Sequence, residues 1–226
     1  MTQTLKQGEN TGLNNASGRV TVKHQTGNSI DVNLTAFLVT DRGKVVDDSG
    51  MVFFNQPSHA SGAAAFTPPT TSGNELTHSV EFNLAALPAN ITKIAITLTQ
   101  DGASSGFAAV QGLTASIQTG DQLIELAPSG FDKESGIIAL ELYTRNGQWK
   151  ARAVWQGFAS GLAGLCAMYG IEVEAEPASS PASSTPAAPP VAPAPEPSKV
   201  ELKKSAGSLH SGKRAAAIMS LIEVVQ

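Results

Sequence analysis

With a single cysteine, Cys166, the chain can form no intrachain disulfide and no cysteine-based zinc centre, which suits a reducing compartment. Charge is also scarce, at 15% of residues, and the 19 acidic against 15 basic side chains leave a net charge of -4. The basic residues are scattered apart from a short group near the C-terminus. They give no electrostatic footprint for nucleic acid, which needs clustered Lys and Arg against phosphates. The opening residues MTQTLKQGEN hold no apolar core of a secretory signal, and no apolar run of about 18 residues offers a membrane span. The expectation is a soluble cytoplasmic protein without a transmembrane segment.

The residue patterns of common enzymes are missing as well. No GxxxxGK[ST] or GxGxxG loop occurs, Ser61, Ser104 and Ser105 stand outside any G-x-S-x-G elbow, and no His/Asp partner can be nominated for them. His24, His59, His78 and His210 are too dispersed along the chain for a metal-ligand spacing. No catalytic residue is nominated, and the chain reads as a protein that is not an enzyme.

What is present is a series of short apolar runs of period two, which puts alternate side chains on one face of a sheet. RVTVKH and SIDVNLTAFLV lie on either side of Thr26-Gly27-Asn28, and MVFF follows the turn signal Asp41-Arg42-Gly43. Residues 56 to 74, rich in Ser, Ala, Gly, Thr and Pro, read as a long surface loop. Further strands are expected at His78 to Phe82, Ile91 to Thr99, Leu113 to Gln118, Leu123 to Leu126 and Gly136 to Tyr143. Asn146-Gly147 tolerates the positive φ angles of a tight reversal, so the segment from Gln148 to Trp155 should pair directly with the strand before it.

Both tryptophans, both tyrosines and the cysteine fall between Glu141 and Gly170. Trp149, Ala151, Ala153 and Trp155 share one face of the second hairpin strand, and two tryptophans so placed fill core. After Gln156-Gly157 the period becomes helical through Phe158, Leu162, Leu165, Met168 and Tyr169, with Gly170 as the C-terminal cap. Cys166, one position after Leu165, reads as a buried, inert thiol. The fold class is therefore all-β: a two-sheet β-sandwich closed by one C-terminal helix, expected over an open end or edge of the sandwich. Eight of the 13 prolines then crowd between Pro177 and Pro197, too little apolar surface to offset chain ordering. The domain plan is a sandwich over 1-174, a disordered Pro/Ala/Ser linker over 175-198, and a short tail over 199-226 with one amphipathic segment near its end.

The pattern LYxRNGxWKxRAxxQGFxxGL followed by YGI, from Leu142 to Ile171, resembles the TerD family of bacterial tellurium-resistance and stress proteins. Upstream pieces fall in family order: Leu5 to Asn10, Asp31 to Leu38, Val52 to Gln56, Leu87-Pro88-Ala89 and Lys93-Ile94. The Pro/Ala linker and the K-V-x-L-x-K restart look most like the TerA branch, in which a second domain follows; here the tail reads as truncated.

The resemblance implies a β-sandwich whose loops bind calcium through clustered Asp and Asn oxygens, and partners among other tellurium-resistance proteins, a membrane-associated complex included. Its metal positions fall on Asp31, Asn33 and Asp48. The second acid of each family pair is lost, to Asn33 and to Gly50, and residues 61 to 74 hold no acid. Calcium prefers six to eight oxygens, chiefly carboxylates, so the site should be weak or lost. Two expectations follow: a non-enzymatic stress-response module that binds protein partners, or a calcium-responsive ligand-binding protein that retains a weak site at Asp31 and Asp48. Arg145 and Lys150, flanking the hairpin turn, are the candidate anion-binding residues, although solvated hairpin charge is the plainer reading.

Overall fold

The computed structural model describes residues 2-27, 30-101, 103-128 and 130-171. The linker and tail expected at 175-198 and 199-226 lie outside them. Twelve strands and one helix run in the order β1 (Thr2–Leu5), β2 (Asn10–Gly12), β3 (Ser17–Gln25), β4 (Asp31–Thr40), β5 (Met51–Val52), β6 (Ala64–Ser72), β7 (Glu75–Asn83), β8 (Ile91–Asp101), β9 (Thr114–Thr119), β10 (Gln122–Leu126), β11 (Gly136–Arg145), β12 (Gln148–Phe158) and α1 (Gly161–Tyr169). They form two six-stranded sheets, ordered β1-β10-β9-β3-β7-β6 and β2-β12-β11-β8-β4-β5. All pairings are antiparallel except that of β1 with β10.

The period-two runs bury their alternate residues between the sheets. Val20 and Val22 of β3, Leu34, Ala36 and Leu38 of β4, Ile94, Ile96 and Leu98 of β8, and Leu140 and Leu142 of β11 build one continuous core. At about 25 cal/mol per Å² of apolar area removed from water, this shared interior is the main force holding the sheets together.

The hairpin β11-β12 forms as its turn residues dictate, with Asn146 at φ 52° and Gly147 at φ 71° and with Arg145 opposite Gln148. A bulge interrupts its register between Ile138 and Leu140. There Trp155 takes φ 50°, a conformation costly for a bulky residue, and its side chain is 2% exposed. It packs beside Phe131, which in turn meets Phe107. Trp149 lies partly buried against the same core.

Two expectations need correction. Residues 56 to 74 are not one loop, because Ala64–Ser72 form the edge strand β6 paired with β7. Its ladder shifts register between Thr67 and Thr70, around Pro68 and Pro69, whose missing N–H groups are tolerated on a sheet edge. The proline pair disguises a strand.

The helix, moreover, covers a face and not an end or edge. Leu165, Cys166 and Tyr169 of α1 meet Phe37, Val39, Met51, Phe53, Ala95 and Ile138 on the outer side of the second sheet, forming a smaller core. Phe37 and Val39 of β4 are apolar and buried as well as the even-numbered residues, so the second half of this strand is buried on both faces. Gly170 ends the helix in the left-handed conformation, as expected. Lys44 Nζ donates to the end carbonyls of Ala167 (3.1 Å) and Met168 (2.7 Å), and Val45 N–H donates to Tyr169 O at 2.9 Å. These groups satisfy carbonyls that a helix end leaves open.

Candidate functional site

The outer face of the second sheet carries most of the residues nominated from sequence, and α1 divides it into two polar ends. At one end β4 begins and β8 finishes, so Asp31 and Asp101 sit directly opposite each other. Residues paired across antiparallel strands have Cα atoms about 5 Å apart. Two like charges so placed repel. Asn33, two residues along the same face, donates from Nδ2 to Asp31 Oδ2 at 3.2 Å and offsets part of that repulsion.

Beside Asp101 opens a cleft of about 580 Å³ lined by Gln100, Ser104, Lys133, Ser135 and the start of α1 at Ser160. The Gln100 amide closes the adjoining turn, donating to Ala103 O at 2.9 Å and accepting from Ala103 N–H at 3.3 Å.

The third nominated metal residue is not in this cluster. Asp48 begins a short 3-10 turn that leads into β5, and β5 pairs with β4 at Ala36 and Phe37, beyond its midpoint. Gly50 lies against Leu38 O. At about 3.3 Å of rise per residue, Asp31 and Leu38 are roughly 20 Å apart along the strand. Asp31, Asn33 and Asp48 therefore do not form one site. The acid that does approach Asp31 is Asp101, which sequence spacing had left unassigned.

A calcium ion at this end would draw on Asp31, Asp101 and Asn33. Two carboxylates and an amide whose nitrogen faces Asp31 fall well short of six to eight oxygens. Among the described residues no group of three or more His, Cys, Asp and Glu side chains converges as a metal site. These residues do not fit a tight calcium site.

At the other end the sheet is cationic. Lys93, Tyr143 and Lys150 occupy one row across β8, β11 and β12, while Glu141 and Arg152 occupy the row beside it. Arg145, two residues beyond Tyr143 and exposed, extends the same face. Glu141 is the one carboxylate that β11 and β12 contribute. It is held by Lys93, Nζ to Oε1 at 2.8 Å. None of the ion pairs among the described residues includes Arg145, Lys150 or Arg152. The hairpin thus sets Arg145 and Lys150 on one face and adds Arg152, with Lys93 of β8 in the same row as Lys150.

Cys166, Tyr169 and the His24–His78 pair are withdrawn from solvent, whereas His59, which sequence left without a partner, lies near the surface with its Nδ1 2.8 Å from Ser61 Oγ. Burial pushes the Cys166 thiol up to about 11, so it stays protonated and a poor nucleophile at neutral pH. Burial, and then the nearby Glu141 carboxylate, raise the Tyr169 hydroxyl far above its ordinary value.

His24 and His78, 54 residues apart, meet inside the sandwich with Nε2 atoms 3.2 Å apart and relative exposures of 3% and 2%. His24 Nδ1 lies 3.0 Å from Gln25 O and so carries a proton, which leaves His78 to donate from Nε2 to His24 Nε2. Burial, and then His24, lower His78 to about 4. Strand parity held the signal for this pair, because His24 follows Val20 and Val22 on one inward face and His78 precedes Val80 and Phe82 on another.

Comparison with known proteins agrees with this architecture. The TerD domain model matches residues 1–169. The chain is 34% identical over 154 residues to the tellurium resistance protein TerD of Serratia marcescens, covering 64% of this chain and 80% of that protein. It is 33% identical over 163 residues to general stress protein 16U of Bacillus subtilis, covering 68% and 84%. Tellurium resistance protein TerA of an Alcaligenes species is 35% identical over 132 residues, 57% of this chain and 37% of that one. A Streptomyces coelicolor homologue of the telluride resistance protein TerD, known as a crystal structure, superposes with a TM-score of 0.52 at 20% identity, covering 69% of this chain and 96% of that one.

Proposed function

Because the chain belongs to the TerD family, with its domain spanning residues 1–169, we propose that it is a non-enzymatic binding module of the tellurium-resistance and stress response, acting in the cytoplasm through protein partners. Other tellurium-resistance proteins, in a complex that reaches the membrane, are the partners this reading names. The observation that carries it is the contrast in availability. Cys166 and the His24–His78 pair are buried, and His59, near the surface, meets the neighbouring Ser61 side chain and no carboxylate among the described residues. Arg145 and Arg152, by contrast, are exposed and, with Lys150, lie outside every ion pair of the described residues.

In this reading the calcium site is degenerate. Two facing carboxylates bridged to an amide supply too little negative charge to compete with water for the ion. Isothermal titration with calcium should give no binding tighter than millimolar, and micromolar or tighter binding would overturn this part of the reading. The calcium-responsive alternative loses support from the structure, since its two acids, Asp31 and Asp48, lie toward opposite ends of β4.

Complementation tests the non-enzymatic part. In a strain lacking this protein, chains with His59, Ser104 and Ser105 each replaced by Ala should restore tellurite tolerance as well as the wild type does. Reversal of Arg145 and Lys150 to Glu should not restore it. Loss of tolerance on removing any one of those three side chains, with folding intact, would point to chemistry instead.

A further inference from the structure

We propose that the cationic end of the second sheet, built from Lys93, Tyr143, Arg145, Lys150 and Arg152, is a docking surface for an acidic polypeptide segment of a partner protein. The inference rests on the binding-module reading above and gives that reading a surface and a partner chemistry.

Charge distribution is the first argument. The whole chain is net negative at -4, yet this patch sets four cations against one carboxylate, Glu141. Glu141 is already engaged by Lys93. Among the described residues Arg145, Lys150 and Arg152 enter no ion pair. By contrast, the outer face of the first sheet pairs its cations internally, Arg19 with Glu81 and Lys23 with Glu75 at 2.7 Å. A compact patch of unpaired cations on an acidic protein attracts and orients anionic partners at the encounter stage.

Shape and spacing decide among anions. Lys93 and Lys150 flank Tyr143 in adjacent strands, so their backbones are about 10 Å apart, two strand spacings. An extended peptide covers that distance in about three residues. Carboxylates at i and i+2 of such a peptide share one face about 7 Å apart, within reach of the two long lysine side chains. Tyr143, half-buried between the lysines, offers a flat aromatic surface against which the methylenes of those acidic side chains pack. Glu141, fixed in the middle of the patch, repels a continuous string of phosphates but fits a partner whose charges are spaced. Strands of a packed sheet also fix the backbone positions of these residues before binding, which lowers the ordering cost. The hairpin tip, with Arg145 beside Asn146-Gly147, is fully accessible.

The test uses the full-length protein and a fluorescein-labelled peptide of alternating Glu and Val, followed by fluorescence anisotropy at low and high salt. Saturable binding should weaken at least tenfold as salt is raised to about 0.5 M, because exposed charges are screened. Replacement of Arg145, Lys150 and Arg152 together by Glu should remove it. Arg19→Glu with Lys23→Glu, a reversal on the opposite sheet, should leave it within about twofold, and thermal melts should show that both variants are folded.

Equal losses in the two variants would mean that only net charge matters, and would overturn the proposal. So would absent binding, or a single-stranded oligonucleotide or phosphatidylserine vesicle binding more tightly through the same residues. If the peptide binds as expected but the triple reversal still restores tellurite tolerance, the surface stands and the functional reading fails.

Discussion

The two polar ends of one sheet face make opposite use of their charges. At the Asp31 end two carboxylates face each other across paired strands, a neighbouring amide donates to one of them, and Lys133 lines the cleft beside the other. At the Arg145 end the charges are of the other sign, spread across three strands, and most have no counter-ion. Helix α1 lies between them on an apolar strip. The difference shows that one sheet face can carry facing carboxylates at one end and spread cationic charge at the other, with an apolar strip between them. The surface that remains rich in unpaired charge lies at the far end of the same sheet.

The largest effect should come from removing the wedge between the ends. Leu165 is fully buried in the smaller core, and Leu165→Ala should cost about 3 kcal/mol of unfolding free energy, read by urea denaturation. A cost below about 1 kcal/mol would mean that α1 is not what organises the face.

Acid tests whether either end governs stability. The His78 value of about 4 lies below its ordinary 6.5, so between those values the unfolded chain binds the proton that the folded chain refuses. Stability is whole above pH 6.5 and falls toward pH 4, by about 3 kcal/mol for that shift. His78→Leu should flatten most of this slope. If the slope survives in that variant, carboxylates at the two ends are responsible and the comparison must be redrawn.

The smallest effects should separate the ends directly. Asp31→Asn relieves the repulsion with Asp101 and should change stability by less than about 0.5 kcal/mol. Glu141→Gln strands Lys93 in a partly buried position and should cost about 1 kcal/mol. Paired thermal melts of the two variants, each with calcium and with EDTA, would measure both, and the wild type should show no calcium-dependent shift.

Much of this was legible in the residues. Alternation located the central strands, Asn146-Gly147 located the hairpin, and the spacing of Leu162, Leu165 and Tyr169 located the helix, because each rests on local periodicity or a turn that few residues permit. Phe158 and Met168, read into the same helical period, respectively end β12 and stand exposed. β6 was hidden because Pro68-Pro69 reads as loop until a partner strand is known. Grouping Asp48 with Asp31 failed for a different reason. The grouping came from the resemblance alone, and a motif order does not say which end of a ten-residue strand each acid will reach. The Asp31–Asp101 and His24–His78 encounters likewise depend on cross-strand register, which no single segment encodes.

The proline pair in β6 has a consequence for how copies of this protein meet. A sheet edge with regular N–H and C=O groups is a template on which a neighbouring molecule can lay its own strand. At Pro68 and Pro69 two donors are missing and the ladder is already out of step. No continuous run of hydrogen bonds can therefore be extended from that edge. On this side the sandwich resists strand-by-strand polymerisation, and copies that meet at this edge must do so through side-chain surfaces instead.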